Sequence, residues 1–229
     1  SQNFYPDGRP YWSGIQLDEV ALPIVLAAKT HELGLDQNPR TSAMVRHAAA
    51  YLAHHGPASP QDRWEENAGA SPFTLGLEIA ALVAAARHYL DGSDRDYAQA
   101  LADCWNERME EWTYVVDTEV DRRCGVAGHY IRISPAAEGS GWRGRVEVPN
   151  RERVDRLAES LVGLDFIYLA RLGLRLPDDP RMAARLAVAD AVLRVDTPSG
   201  PAYHRYSGAC YGEPPDGAPF AGSGGGGSG

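Results

Sequence analysis

The sequence is short of positive charge. Against 31 Asp and Glu it has 22 Lys and Arg, a formal net charge of −9 at pH 7, and no local basic run offsets the deficit. Polyanion binding draws its free energy from counterions released by a basic face, so nucleic acid is excluded as the main partner. Long apolar runs are missing as well. A membrane span needs roughly 18 uninterrupted apolar residues, and the run Val20 to Ala28 is broken by Pro23. Three cysteines, Cys104, Cys124 and Cys210, make an odd set without CxxC spacing, which argues against a disulfide framework or zinc site and for buried free thiols. The seven histidines include His54-His55 but form no HExxH or Cys/His cluster. No glycine-rich phosphate loop follows a strand, and no serine nucleophile elbow is present. The first residues, SQNFYPDGRPYW, show no basic n-region or apolar h-region, so no signal peptide is legible and the compartment stays open.

What is there is an ordinary globular composition, 44% hydrophobic and 23% charged, in 229 residues. At roughly 150 residues per domain that allows one or two domains. Helical periodicity dominates. Asp18–Leu33 carries Val20, Ala21, Ile24, Val25 and Ala28 and ends before Gly34, with Pro23 tolerated early in the helix. Residues 41–55 place Met44, Val45, Ala48, Tyr51 and Leu52 on one face and stop at Gly56-Pro57. In 71–90, Ser71 fits an N-cap and Pro72 the first helical position, and the run is apolar nearly all round, which predicts a helix buried on most sides. A fourth helix is expected over 93–115, with further helices over 153–172 and 180–195. Between Gly125 and Val148 the period changes: HYIRIS and RVEV alternate like a short two-stranded ribbon inserted between helices. After Val195 the chain reads as a long polar loop rich in Gly and Pro. The terminal GSGGGGSG, 222–229, reads as a flexible linker or non-native tail after a unit at 1–221.

The chemistry-bearing stretch is QDRWEENAG, 61–69, directly before the buried helix. Adjacent glutamates alone are weak evidence, since Glu110-Glu111 recurs in this chain and solvated charges at a helix start are commonplace. The setting of Glu65-Glu66 differs. Trp64, Asp62, Arg63 and Asn67 supply a ring face, carboxylate, guanidinium and amide, the groups with which proteins hold sugars.

QDRWEENAGASPFTLGLEIAALVAAA resembles the acid-bearing segment of glycoside hydrolase family 15, the glucoamylases and glucodextranases. YWSGIQLDEVALPIVLAAK near the start, HYIRI in the ribbon and RYSGACYGE near the end follow in the family's order, and the likeness is to its bacterial branch. The resemblance implies an all-α fold, part of a six-hairpin α/α toroid with the β-ribbon as an insertion and about half of the helices present. It implies an inverting exo-acting hydrolase that releases glucose from α-linked glucans without a cofactor. Some members bind structural calcium, but the acidic pieces 91–96 and 176–179 are adequately read as helix caps and turns.

Residue by residue, the resemblance makes Glu65 the general acid and Glu66 a neighbour that bonds sugar hydroxyls and whose charge helps Glu65 keep its proton. Asp62 and Trp64 would shape the loop and subsites, Trp12 and Gln16 the aromatic and polar wall contributed by the first loop, and Arg205 with Tyr206 would grip the sugar beyond the cleavage point. Asp18 is a structural match. Inversion also requires a base about 6.5–9.5 Å from the acid, to admit a water. Glu66 is too close to serve, and the family's late base segment and early Arg-Asp motif are not found in the sequence. The chain is therefore expected to need a complementary part of the catalytic domain. A catalytically inactive carbohydrate-binding remnant and a trehalase or other sugar-active enzyme on the same architecture remain open alternatives.

Overall fold

The structure is a computed structural model and describes residues 4–10, 14–36, 38–135, 144–148 and 154–208. Four long helices form its main body: α1 (Leu17–Glu32), α2 (Thr41–His55), α3 (Pro72–His88) and α4 (Gly92–Thr113). Consecutive helices pack in pairs, α1 on α2 and α3 on α4, and α1 also lies along α3. As its composition predicts, α3 is buried nearly all round. Ser71 Oγ accepts the Thr74 N–H at 3.2 Å and Pro72 opens the first turn, so two of the helix's orphan N-terminal positions are dealt with locally. Leu75, Leu77, Ile79 and Leu82 fill the main core from this helix, each contributing about 1.5–3 kcal/mol of transfer free energy. Helix α1 runs unbroken through Pro23 and ends at Gly34, whose φ of 68° is a left-handed conformation that glycine adopts without steric cost.

The remaining described elements are short. They are β1 (Gly69–Ala70), β2 (Tyr114–Val116), α5 (Glu119–Cys124), β3 (Gly128–Tyr130), β4 (Ser134–Pro135), β5 (Arg145–Val148), β6 (Val154–Leu157), α6 (Ile167–Arg171), α7 (Pro180–Val192), β7 (Arg194–Thr197) and β8 (Gly200–Tyr203). The strands make four two-stranded antiparallel sheets. A second core includes Val115 of β2, Val146 and Val148 of β5, and Ile131, Ile133, Leu161 and Tyr206, and has Trp64 packed against it. The fold is thus helix-rich with small sheets rather than purely helical.

Several sequence expectations are corrected. RVEV alternates as expected of a strand, whereas HYIRIS is buried throughout and divides between β3 and β4, and the two do not pair with each other: β3 pairs with β2, β4 with β1, and β5 with β6. Alternation reports a half-buried strand and carries no information about its partner. The helix expected over 153–172 reduces to α6, because Val154–Leu157 is claimed by β5 and Gly163 lies close against the Asp165 carboxylate and the Arg132 stem. A Cβ on Gly163 would stand 2.9 Å from Asp165 Oδ2. Part of the expected terminal loop is the β7–β8 hairpin, closed by Thr197 opposite Gly200. Short helix α5, built on a capping box between Thr118 and Asp121, has no counterpart in the expectations. Of the cysteines expected to be buried, Cys104 is exposed on α4 and Cys124 is half-buried. Cys210, Trp12 and the 222–229 tail lie outside the described residues.

Candidate active site

Two concentric closures build the 59–69 loop. At its outer ends Ser59 and Gly69 exchange both backbone hydrogen bonds at 2.9 Å. Gly69 is required there: its φ is 149°, and a Cβ would stand 2.0 Å from Ser134 O on the paired strand. Inside, Asp62 N–H donates to Asn67 O at 2.8 Å, and Asp62 Oδ1 accepts the backbone N–H groups of Trp64, Glu66 and Asn67 at 3.2, 3.1 and 3.4 Å. One buried carboxylate thereby satisfies three loop donors, the same chemistry by which Asp caps a turn.

Glu65 sits between these anchors with its side chain exposed and its φ at 62°. For a residue with a Cβ this left-handed conformation stores on the order of 1–2 kcal/mol. The Glu65 N–H bond to Asp62 O, 2.8 Å, helps hold it. Glu66 turns the other way, into the protein. Its Oε2 accepts from Tyr206 OH at 2.6 Å and from Arg132 Nη2 at 2.9 Å. Burial pushes the Glu66 carboxyl above the ordinary glutamate value, against the pull of the Tyr206 hydrogen bond and the Arg132 charge.

Tyr206 reaches this point through a neighbouring segment. Arg132 N–H bonds Leu161 O at 2.8 Å, Gly163 bridges to Tyr206, and Ser207 N–H bonds Val162 O at 2.7 Å. Residues 161–163 thus lie between the Arg132 segment and the 206–207 segment. Around the loop the rings and guanidinium groups interleave: Arg205 lies over the Trp64 ring at 4.7 Å, Trp64 and Tyr206 have centroids 6.5 Å apart, and Arg63 lies over Phe73 at 4.1 Å. Such stacks of cation on ring add about 0.5–2 kcal/mol each and stiffen the wall. Arg63 also faces Asp165 at 3.4 Å, whose carboxyl is raised by burial.

Asp62, Trp64, Glu65, Glu66, Arg205 and Tyr206 therefore converge, although 140 residues separate Glu66 from Tyr206. Gln16 is buried and bridges to Gln61 at the start of the loop. Asp18 is buried behind it, where Thr74 Oγ1 donates to Oδ1 at 3.1 Å and burial pushes its carboxyl to about 6. Arg132 was missed as an interacting residue. The available signal was an arginine between two isoleucines in HYIRI, a cation placed among residues destined for a core. Among the described residues no group of three or more His, Cys, Asp or Glu is placed to hold a metal ion.

A scaffold of paired helices that presents a glutamate on a strained loop beside stacked Trp, Tyr and Arg has the makings of a carbohydrate-processing site. The chain matches the family described as glycosyl hydrolases family 15 over residues 3–223, and it belongs to that family. It is 35% identical over 222 residues to a glucoamylase of Clostridium sp. (strain G0005), covering 93% of this chain and 29% of that protein. It also superposes, with a TM-score of 0.79 and 33% identity, on the crystal structure of a bacterial glucoamylase complexed with acarbose, covering 93% of this chain and 30% of that one. The chain spans less than a third of the length of each.

Proposed function

We propose that this chain is the acid-bearing part of an inverting, exo-acting α-glucoside hydrolase that releases glucose from α-linked glucans. The observation that carries this reading is the pairing of opposite fates for adjacent carboxyls. Glu66 is turned inward onto Arg132 and Tyr206, while Glu65 is held outward at the loop apex in a left-handed conformation. Such a constraint is characteristic of residues fixed for function rather than stability.

Glu65 is the general acid: its carboxyl delivers a proton to the departing glycosidic oxygen. Trp64, Tyr206 and Arg205 form the wall that orients the sugar, and Gln16 bridges to Gln61 at the start of the same loop. Ring faces pack on the apolar face of a pyranose, and the guanidinium bonds its hydroxyls. Glu66 adds a hydroxyl contact beside this wall. The base that activates water comes from chain outside 1–229, as does the rest of an α/α toroid of which α1 to α4 form successive hairpins. The family membership and the relative crystallised with acarbose support this reading.

The test is hydrolysis of maltose, isomaltose and trehalose by a complete family 15 domain containing this chain, and by the chain alone. The completed domain is expected to release glucose from maltose or isomaltose with inversion, and Glu65→Gln to lower kcat by at least about 100-fold. Activity that survives Glu65→Gln sinks the assignment of the acid. A preference for trehalose would move the enzyme to another substrate, and inactivity on all three would favour a binding remnant.

A further inference from the structure

Arg132 is a charged side chain buried within a run of core residues. It follows β3 in a stretch whose members Tyr130, Ile131, Arg132 and Ile133 are all buried, Arg132 to 1% exposure. Its backbone is held in place because Ile131 N–H bonds Thr113 O and Arg132 N–H bonds Leu161 O, at 2.9 and 2.8 Å. From this base the guanidinium meets three acceptors of one loop: Asp62 Oδ2 at 2.5 Å, Asn67 Oδ1 at 2.7 Å and Glu66 Oε2 at 2.9 Å. The guanidinium also faces the Tyr206 ring, 4.2 Å from the guanidinium carbon.

Asp62 and Asn67 are the residues that close the inner loop, and Glu65 stands between them. We propose that Arg132 is a positioning residue: its guanidinium, seated on the Tyr206 ring, clamps both ends of the 62–67 loop and the inward carboxylate, and so fixes where the Glu65 carboxyl stands. This rests on Glu65 being the acid. Arg132 acts through the loop and not on the sugar.

Two properties are combined in one side chain. The positive charge lies between two buried carboxylates, Asp62 and Glu66, which would otherwise repel each other in a poorly solvated space. The planar fork matches three acceptors at once, which an ammonium on a flexible stem cannot reproduce. Arg132→Lys and Arg132→Met separate them, since lysine keeps the charge and methionine keeps neither. Even a displacement of about 1 Å at the reacting group costs on the order of 100-fold in rate.

The experiment has two readouts. In the chain itself, carbon-13 NMR of the Glu66 carboxyl follows its titration in wild type and both variants. In the complete domain, kcat and KM are measured on maltose. The Met variant is expected to raise the Glu66 midpoint by about one pH unit or more, and the Lys variant to leave it within about half a unit. Both are expected to lower kcat about 10- to 100-fold while KM stays within about threefold, because the sugar-contacting groups are retained. A Met variant of unchanged melting temperature whose Glu66 midpoint does not move overturns the proposal. So does a Lys variant with wild-type kcat, which decides the matter if the Met variant fails to fold. If Glu65→Gln keeps its activity, the acid assignment fails while the Glu66 titration still reports on the clamp.

Discussion

Tyr206 OH donates a 2.6 Å hydrogen bond to Glu66 Oε2, and the same oxygen accepts from Arg132 Nη2 at 2.9 Å. A phenol from near the end of the described chain thus completes the hydrogen bonding of a carboxylate in the first third. The bond works against burial, which raises the Glu66 carboxyl. Removing it in Tyr206→Phe leaves the carboxylate with one fewer donor, so the Glu66 midpoint is expected to rise further. The lost bond is to an ionised group and should cost about 1.5–3 kcal/mol of stability at neutral pH. Carbon-13 titration of the Glu66 carboxyl and urea unfolding at pH 7 check both halves. An unmoved midpoint would mean that the phenol does not act on this carboxylate in solution.

The strain at Glu65 gives a second prediction, in which stability and activity move in opposite directions. Glycine adopts a φ of 62° without the Cβ clash that glutamate meets. Glu65→Gly is therefore expected to stabilise the chain by about 0.5–1 kcal/mol after allowing for glycine's greater freedom in the unfolded state. In the complete domain the same variant should be inactive. The side chain is exposed, so little packing is lost with it. Equilibrium unfolding of Glu65→Gly beside Glu65→Gln isolates the backbone contribution. Equal stabilities for the two would show that the left-handed conformation carries no measurable cost.

How much of this was legible in the sequence depends on the range of the interactions. Helices α1 to α4 were, because their signals are local: Ser71-Pro72 starts α3, Gly34 and Gly56 stop α1 and α2, and the apolar spacing does the rest. The loop at 61–69 and the convergence of Arg205 and Tyr206 upon it came from a resemblance of separated motifs. The strand pairings were not legible, since β3 and β5 each have strand-like patterns and find partners that no pattern names. Arg132 was missed for a related reason. A lone arginine in a strand reads as an edge or solvent residue until the three acceptors of another loop are seen around its guanidinium.

A buried carboxyl in the main core sets a pH dependence of stability. Glu78, on α3, is 0% exposed, and neither of its oxygens has a hydrogen-bond partner among the described residues. Burial, with Asp18 nearby as a like charge, holds its carboxyl well above the ordinary value of 4.5. The folded state therefore keeps a proton that the unfolded chain releases above about pH 4.5. Stability from this group is fully present below that pH and declines as pH rises through the folded midpoint. Asp18 adds in the same direction between 3.8 and about 6, an amount on the order of 3 kcal/mol at most. Glu78→Gln cannot release the proton, so it should melt higher than wild type at pH 8, with the difference shrinking toward pH 4. Parallel melting curves across that range would show that Glu78 ionises in the folded core without penalty.

Helix α1 leaves part of its surface without cover. Leu22 and Leu26 are 46% and 64% exposed, four residues apart on one face, and Leu33 at its end is 61% exposed. Ile15 extends the apolar surface before the helix begins, at 43% exposed. Each leucine left in water forgoes a good part of the roughly 1.5–3 kcal/mol available from full burial, and contiguous apolar surface of this kind drives association. The isolated chain is expected to self-associate in sedimentation velocity as its concentration rises, more strongly in sulfate, which strengthens apolar burial. The double substitution Leu22→Glu with Leu26→Lys places an acid four residues before a base, an order that supports the helix while removing the apolar face. It should shift the sedimentation profile toward the smallest species and leave helical circular dichroism unchanged. If the double variant associates as wild type does, the driving surface lies elsewhere, and the next substitutions belong at Leu33 and Leu35, both more than half exposed at the end of α1.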